Sequence, residues 1–231
     1  MMRHIAAIFK KQARDTRKNP VLLLQLILYP VMILILNNTV TFEDMPPNYF
    51  TEMFSAMFVG MAPLITCANV VSEEKEKGTL RALLMSGVHP FAYLGGIGLF
   101  LFSVCLLGSA VIAAQAGYTL MRSLLFVLYL SLGCLISEIL GATIGIARAS
   151  QTAAMGTAVP VMSVMSFLPL LATFNETVAK VAGFTYTERI KNLISGLSCD
   201  TMEAADLLVV FGSLAVALLL FTFIYKRNGL E

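Results

Sequence analysis

Residues 21–42 read VLLLQLILYPVMILILNNTVTF and contain no charged side chain. A helix of roughly 20 mostly apolar residues is long enough to cross the hydrocarbon layer of a membrane. Five further apolar stretches follow along the chain, of which one contains a single acid, Glu138, and the longest is interrupted by Gly and Pro at 87–90. Because proline favours the first turn of a helix, we start the third span after this interruption. The six predicted spans lie at about 21–41, 50–71, 91–115, 123–147, 151–174 and 206–225.

The composition of the chain agrees with a membrane protein and excludes several other classes. Of the 231 residues, 58% are hydrophobic and only 13% are charged, whereas a soluble domain carries about 25% charged residues. A net charge of +2 is too small for a nucleic-acid-binding surface, and two histidines and four cysteines leave little material for a metal site. We therefore predict an all-α integral membrane protein with no nucleic-acid partner.

The basic residues predict which side of the membrane each connecting segment occupies, since cytoplasmic loops carry an excess of Lys and Arg. If the N-terminus is cytoplasmic, the inner segments hold 12 of the 16 Lys and Arg residues and the outer segments hold four. We therefore expect a multi-pass protein of the cell (plasma) membrane with both termini in the cytoplasm. No soluble domain is apparent, so we interpret residues 1–231 as a single membrane domain.

Two segments outside the predicted spans have helical periodicity. Residues 3–18 place apolar and basic side chains on different faces, which predicts an amphipathic helix in the cytoplasmic interface, in contact with membrane lipid. Residues 175–205 form the largest outer segment, and apolar residues recur within it at helical spacing. We expect two short amphipathic helices there, immediately before the sixth span.

The connection between the second and third spans reads VSEEKEKGTLRALLMSG over residues 71–87. Ser72 suits the start of a helix, and the acidic residues that follow suit the positive end of the helix dipole. Beyond Gly78, three leucines form a short apolar face: Leu80, Leu83 and Leu84. The pattern predicts a compact cytoplasmic helix at 73–86 that could transmit force from a soluble partner. An ordinary charged loop is the alternative interpretation.

Residues 74–80 read EKEKGTL and resemble the ABC-2-type transporter permeases, in which the second span is followed by Glu-x-Gly-Thr-(Leu/Met)-Glu-x-Leu. The likeness covers essentially the whole chain. The basic N-terminal helix, the six spans, the outer segment before the last span and the Ser/Gln/Ala-rich inner turn at 148–154 are similar to the family's architecture. Two positions depart from the family's pattern, since Arg81 stands where an acid is common and Gly96 stands where lysine is common.

The resemblance implies a permease subunit of an ATP-binding cassette transporter. In such proteins the segment after span two is similar to a coupling helix that docks into a separate ATPase subunit, and the turn at 148–154 would be a second contact. Two ATPase copies, which bind ATP and Mg, and a second permease subunit, identical or related, would complete the complex. The implied contacts with the ATPase are Glu73, Glu74, Glu76, Gly78, Thr79, Leu80, Leu83, Leu84, Arg148, Ser150 and Gln151.

The chain itself is not expected to be an enzyme. A Walker A loop needs Gly followed by Lys and then Ser or Thr to hold the phosphates, and none of the 16 glycines here is followed by lysine. No histidine lies in a span core and the aspartates are scattered, which disfavours an intramembrane enzyme. We therefore expect no catalytic residue, bound cofactor or metal on this chain, with ATP hydrolysis in the partner.

Glu138 is the only formally charged residue well inside a predicted span. A charge at the centre of a bilayer costs about 3 kcal/mol on insertion scales, so this side chain should face protein or water, or be protonated. One interpretation is a residue of the translocation path that contacts cationic groups of a substrate. The other is a structural hydrogen bond inside the bundle.

Two stripes of residues follow the helical repeat within the spans. Small residues recur every four positions in the fourth span, which favours close helix packing within the subunit or against a second permease, with pore lining as the alternative. Methionines recur in the second span, and their adaptable thioethers suit either a variable apolar ligand in a translocation path or ordinary core filling. The two stripes are Gly133, Ser137, Gly141 and Gly145, and Met53, Met57 and Met61.

Together these features predict a permease that exports an amphipathic substrate, such as an antimicrobial peptide, a drug or a lipid-like molecule. Import is less favoured because little of the chain lies outside the membrane to serve as a receptor domain. The alternative is an ion-coupled secondary carrier or channel centred on Glu138. Such a carrier would be expected to pair polar residues across several spans, and Glu138 stands nearly alone.

Overall fold

The computed structural model describes residues 2–40, 48–79, 85, 90–199 and 203–228. Within these residues the regular secondary structure is entirely helical. We number the helices in chain order: α1 (Met2–Lys18), α2 (Pro20–Thr39), α3 (Tyr49–Glu76), α4 (Pro90–Gln115), α5 (Leu120–Ala147), α6 (Gln151–Ala172), α7 (Glu176–Ala182), α8 (Tyr186–Cys199) and α9 (Ala204–Asn228).

Six of the described helices, α2 to α6 and α9, are long and apolar enough to cross a membrane. The predicted all-α fold with six spans is thus confirmed, and the helix ends fall within a few residues of the predicted limits except at the end of α3. Successive spans alternate in direction. We call the end of the bundle that holds α1 and the C-terminal end of α3 the basic end, and the opposite end the distal end.

Helix α3 forms the centre of the bundle. It packs against α2, α4, α5, α6 and α8. Of the residues in the most apolar stretch of α3, 83% are buried, whereas only 11% are buried in the most apolar stretch of α9. The residues of α3 are therefore mostly in contact with protein, and those of α9 mostly face outward.

The small-residue stripe of α5 lies against α3. A Cβ atom added at Gly133 would lie 2.5 Å from Val59 Cγ1, and one added at Gly145 would lie 2.9 Å from Val71 Cβ. A Cβ atom at Gly141 would collide with the backbone of α3. Small residues allow such close approach of two helices, and α5 uses the stripe for contact within this chain.

One side of helix α1 packs against the bundle. Ile8, Gln12 and Thr16 are buried, and a Cβ atom added at Gly96 of α4 would lie 2.7 Å from Ile8 Cγ2. Lys10 and three further basic residues of the helix are exposed: Arg14, Arg17 and Lys18. The amphipathic pattern of α1 therefore matches a protein contact on one side, and the glycine at position 96 provides the room for it.

The predicted start of a separate helix at Ser72 was wrong. Helix α3 continues without interruption to Glu76, and the buried Ser72 hydroxyl donates a hydrogen bond to the Ala68 carbonyl at 2.7 Å. The helix stops at Gly78, whose φ of 69° is left-handed and is adopted by glycine without strain, and whose amide donates to the Lys75 carbonyl at 3.1 Å. Such left-handed glycines commonly terminate helices. Of the predicted helix at 73–86, Leu80, Leu83 and Leu84 lie outside the described residues.

The segment before the last span forms two short helices, α7 and α8, as predicted. The Asn175 side chain begins α7 by accepting hydrogen bonds from the amides of Thr177 and Val178 at 2.9 and 3.2 Å, which is the usual role of an N-cap. Helix α8 packs its apolar face into the main core, with buried Tyr186, Ile190, Leu193, Ile194 and Leu197. This segment therefore closes the distal end of the bundle.

Candidate functional site

At the basic end, the C-terminal turn of α3 contacts the turn between α5 and α6. The Lys75 ammonium group donates hydrogen bonds to the carbonyl oxygens of Ile146 at 2.6 Å and Arg148 at 3.0 Å. These carbonyls belong to the end of α5, where a cation interacts favourably with the helix dipole. Lys75 therefore joins the second and fourth spans.

Gln151, the first residue of α6, makes two more contacts with α3. Its amide donates to Glu76 Oε2 at 2.6 Å, and its side-chain amide donates to Asn69 Oδ1 at 2.5 Å. The Glu76 carboxylate thereby occupies the N-terminal end of α6, where negative charge is favourable. The Ser150 hydroxyl caps the same helix by accepting from the Ala153 amide at 3.3 Å.

The two segments that the sequence implied as partner contacts thus form one surface, which we call the junction surface and define as residues 73–79 and 148–151. Glu76, Lys77, Gly78 and Arg148 are exposed on it. Within the described residues, the surface lies at the basic end beside α1. A soluble protein of sufficient size could contact both segments at once.

Two of the acidic residues in this surface are engaged by neighbouring cations. Glu74 Oε1 lies 2.5 Å from the ammonium group of Lys11 in α1, and the Tyr93 hydroxyl of α4 faces the same carboxylate without forming a well-aligned hydrogen bond. Glu73 pairs with Lys77 at 2.5 Å, and this hydrogen bond raises the pKa of Lys77. Glu74 therefore holds α1 to the bundle, while the exposed Glu73–Lys77 pair contributes little to stability.

Glu138 lies in the membrane-spanning part of α5, ten residues before Arg148 of the junction surface. It is 4% exposed and lines a cavity of about 390 Å³ between α3, α4, α5 and α9. Its Oε1 atom has no hydrogen-bond partner among the residues that the structure describes. The other side chains around the cavity are mostly apolar.

The methionine stripe does not lie in the Glu138 cavity. Met53 and Met57 are buried in the main core, and the sulfur of Met61 accepts a hydrogen bond from the Tyr29 hydroxyl of α2 at 2.8 Å. These side chains therefore pack α3 against its neighbours within this chain. The structure does not bring the methionines and Glu138 together as the walls of one path.

Sequence reasoning did not anticipate a polar contact at the distal end. Glu52 in the first turn of α3 accepts hydrogen bonds from Ser195 and from Ser198 of α8, the latter at 3.1 Å. An acid in the first turn of a span and two serines at i and i+3 were the available signals. We call Glu52, Ser195 and Ser198 the distal contact.

A hydrogen bond from Lys191 and an ion pair of Arg189 fix α8 to α6 and α9. Lys191 lies 2.7 Å from Glu188 and donates to the Pro169 carbonyl of α6 at 3.1 Å, while Arg189 lies 2.7 Å from Asp206 of α9. Among the described residues, no group of three or more His, Cys, Asp or Glu side chains is arranged to hold a metal ion.

A comparison with protein families matches residues 4–225 to the model described as ABC-2 family transporter protein. No curated protein matches the chain. The family match covers nearly all of the 231 residues, and among the helices that are long and apolar enough to span a membrane it leaves out only the last three residues of α9. The chain therefore belongs to the ABC-2 transporter family and is a multi-pass membrane subunit of the kind that associates with an ABC ATPase.

Proposed function

We propose that this chain is a permease subunit that receives the motion of a separate ATPase through the junction surface. The observation that carries the proposal is the hydrogen bonding of Gln151 and Lys75, which joins the end of α3 to the turn between α5 and α6. A partner that contacts this surface would act on three spans together. The excess of basic residues supports a cytoplasmic position for this surface and for both termini.

Helix α3 supplies a direct mechanical path across the membrane. At 1.5 Å per residue, its 28 residues span about 42 Å. Its first turn holds α8 through the distal contact, and its last turn belongs to the junction surface. A displacement of the basic end by the ATPase would therefore be transmitted to the helices that close the distal end.

In this mechanism two ATPase copies bind ATP and Mg and close on each other, and two permease subunits alternate between inward and outward access. The outward-facing apolar side chains of α2, α6 and α9 provide lipid-facing surface and room for a second permease, identical or related. We propose export of an amphipathic molecule, such as an antimicrobial peptide, a drug or a lipid-like compound. The mostly apolar surroundings of Glu138 support this class of substrate.

Charge reversal of Arg148 tests the junction surface without disturbing its internal hydrogen bonds, because Lys75 binds the Arg148 backbone carbonyl and not its side chain. The complex would be purified in mild detergent from native membranes, and the amount of co-purifying ATPase measured for Arg148→Glu. Lys180→Glu, which reverses an exposed charge on α7 at the distal end, is the matched control.

We expect the amount of co-purifying ATPase to fall at least fivefold for Arg148→Glu, which corresponds to roughly 1 kcal/mol or more of lost binding energy. The amount should not change for Lys180→Glu. A second pair, Glu76→Ala against the exposed distal Glu203→Ala, should behave in the same way. If no ABC ATPase co-purifies with the wild-type chain, or if both members of each pair retain it equally, the proposed role of the junction surface is wrong.

A further inference from the structure

The cavity that contains Glu138 lies over α5, in a gap between α4 and α9, and α3 forms a further wall. Glu138 stands on α5, Gly95 and Gly98 lie on α4, and Leu218 lies on α9. The volume of about 390 Å³ lies within the range of sites for small organic molecules. The cavity is therefore large enough for an alkyl chain or a small ring system.

Two of the glycines of α4, Gly95 and Gly98, keep the cavity open. A Cβ atom added at either Gly95 or Gly98 would meet no other atom within 4 Å. Glycine in the middle of a helix is less favourable than alanine by roughly 1 kcal/mol. These positions thus leave space that larger side chains would fill without collision.

The cavity is partly open toward the apolar outer surface of the bundle. Two of its lining residues, Leu99 of α4 and Leu218 of α9, are 51% and 45% exposed. Both helices present further apolar side chains to the outside, including Leu107 and Leu219. In a spanning bundle this surface faces lipid, so a molecule dissolved in the membrane reaches the cavity laterally.

Glu138 is the chemically distinctive residue of this cavity. A buried carboxyl oxygen without a hydrogen-bond partner is energetically costly, and the cost is greatest when the group is ionised. Within the described residues, the walls of the cavity contain no Lys or Arg that could neutralise it. A ligand that brings an ammonium group would supply both the missing hydrogen-bond donor and the opposite charge.

We propose that the Glu138 cavity is a binding site for lipophilic amines that enter from the membrane, with the ammonium group bound to the Glu138 carboxylate and the apolar body between α4 and α9. This deepens the proposed export function by naming the class of molecule that the permease takes. The site follows from the described cavity and can be tested without ATP hydrolysis.

The test uses the full chain with its co-purified ATPase in lipid nanodiscs and a dodecylamine that carries a photoreactive diazirine. After illumination, the labelled peptides are identified and quantified by mass spectrometry. The dodecanol with the same diazirine is the uncharged comparison. Three variants are measured: Glu138→Gln, which keeps the shape but removes the charge; Gly98→Leu, which fills the cavity; and Gly156→Leu, the matched control.

Gly156 suits this purpose because it is also free of neighbours within 4 Å and does not line the cavity. We expect the amine to label peptides of α4, α5 and α9 in the wild type and in Gly156→Leu. Labelling should fall at least about tenfold in Glu138→Gln, since a hydrogen bond between charged groups is lost, and should disappear in Gly98→Leu. The alcohol should label all four proteins weakly and equally.

Equal amine labelling of wild type and Glu138→Gln would overturn the proposal, as would equal labelling by amine and alcohol or labelling confined to other helices. Retention of the ATPase is measured on the same samples. If the ATPase is retained and the amine is not bound, only the amine site is wrong. If Glu138→Gln cannot be purified, amine labelling of Gly98→Leu is compared with that of Gly156→Leu. Equal labelling of these two variants would overturn the proposal.

Discussion

The hydroxyl groups of Ser137 and Tyr186 lie 2.7 Å apart, in the buried region where α5, α3 and the first turn of α8 meet. The Ser137 hydroxyl also donates to the Val59 carbonyl of α3 at 2.6 Å. Because that hydrogen is committed to Val59, Tyr186 acts as the donor between the two hydroxyls. A short chain of hydrogen bonds therefore links α8, α5 and α3.

The direction of this chain predicts unequal effects for the two obvious substitutions. Ser137→Ala removes the acceptor of the buried Tyr186 hydroxyl, so we expect it to destabilise the protein by about 1–3 kcal/mol. Tyr186→Phe removes only the terminal donor and should cost about 1 kcal/mol. Thermal unfolding in detergent would measure both. If Tyr186→Phe costs clearly more than Ser137→Ala, the assigned donor is wrong.

Burial of Tyr186 also predicts a response to alkaline pH. Desolvation raises the pKa of Tyr186 far above its ordinary value of 10. Because the folded pKa is the higher one, the stabilising contribution is complete below pH 10 and declines as the pH rises above 10, where the unfolded state loses its proton. Unfolding should be followed at pH 8 and pH 11 for the wild type and Tyr186→Phe.

The wild type should lose more stability between these two pH values than Tyr186→Phe, in which this titration is absent. Other tyrosines, including Tyr118, whose pKa burial also raises, are common to both proteins and cancel in the comparison. An identical loss in the two proteins would show that Tyr186 is not buried as described.

Gly96 should be required for the docking of α1. A methyl group at this position would lie 2.7 Å from Ile8 Cγ2, whereas Gly95 next to it has open space. We expect Gly96→Ala to increase hydrogen exchange of α1 and Gly95→Ala to leave it unchanged. Overpacking of this kind costs about 1–3 kcal/mol. The added methyl group would also lie 2.8 Å from Ile8 Cβ and 3.2 Å from the Ile5 carbonyl oxygen. Unchanged exchange of α1 in Gly96→Ala would therefore argue against this direct contact.

The distal contact predicts a local effect at the other end of the bundle. Glu52→Ala removes the carboxylate that accepts hydrogen bonds from Ser195 and Ser198. We expect hydrogen exchange in α8 to rise about tenfold, consistent with the loss of charged hydrogen bonds, while α1 is unaffected. Glu203→Ala, at an exposed acid before α9, is the control. Unchanged exchange in α8 would show that Glu52 does not hold it.

The six spans could be predicted from the sequence because the length and polarity of an apolar run are local properties. The end of α3 could not. Ser72 has the side chain of a helix cap, but its surroundings in the folded bundle are buried, and its hydroxyl bonds within the helix instead. Gly78 was the better signal, since a glycine after a helical run often marks its end.

The candidate site, too, could be predicted from the sequence only in part. The motif at 74–80 and the turn at 148–154 were recognisable as segments, but their hydrogen bonding through Lys75 and Gln151 connects residues more than 70 positions apart. No pattern along the chain encodes that pairing. The environment of Glu138 likewise depends on where α4 and α9 diverge, which is a property of the assembled helices.

The contrast between the buried α3 and the outward-facing α9 has a consequence for how this sequence can change. In α3 nearly every side chain fits against another helix, so substitutions that alter volume should be felt throughout the bundle. In α9 most side chains require only that they be apolar. Natural variation in substrate preference can therefore accumulate on α9, including positions beside the Glu138 cavity, while α3 stays nearly fixed.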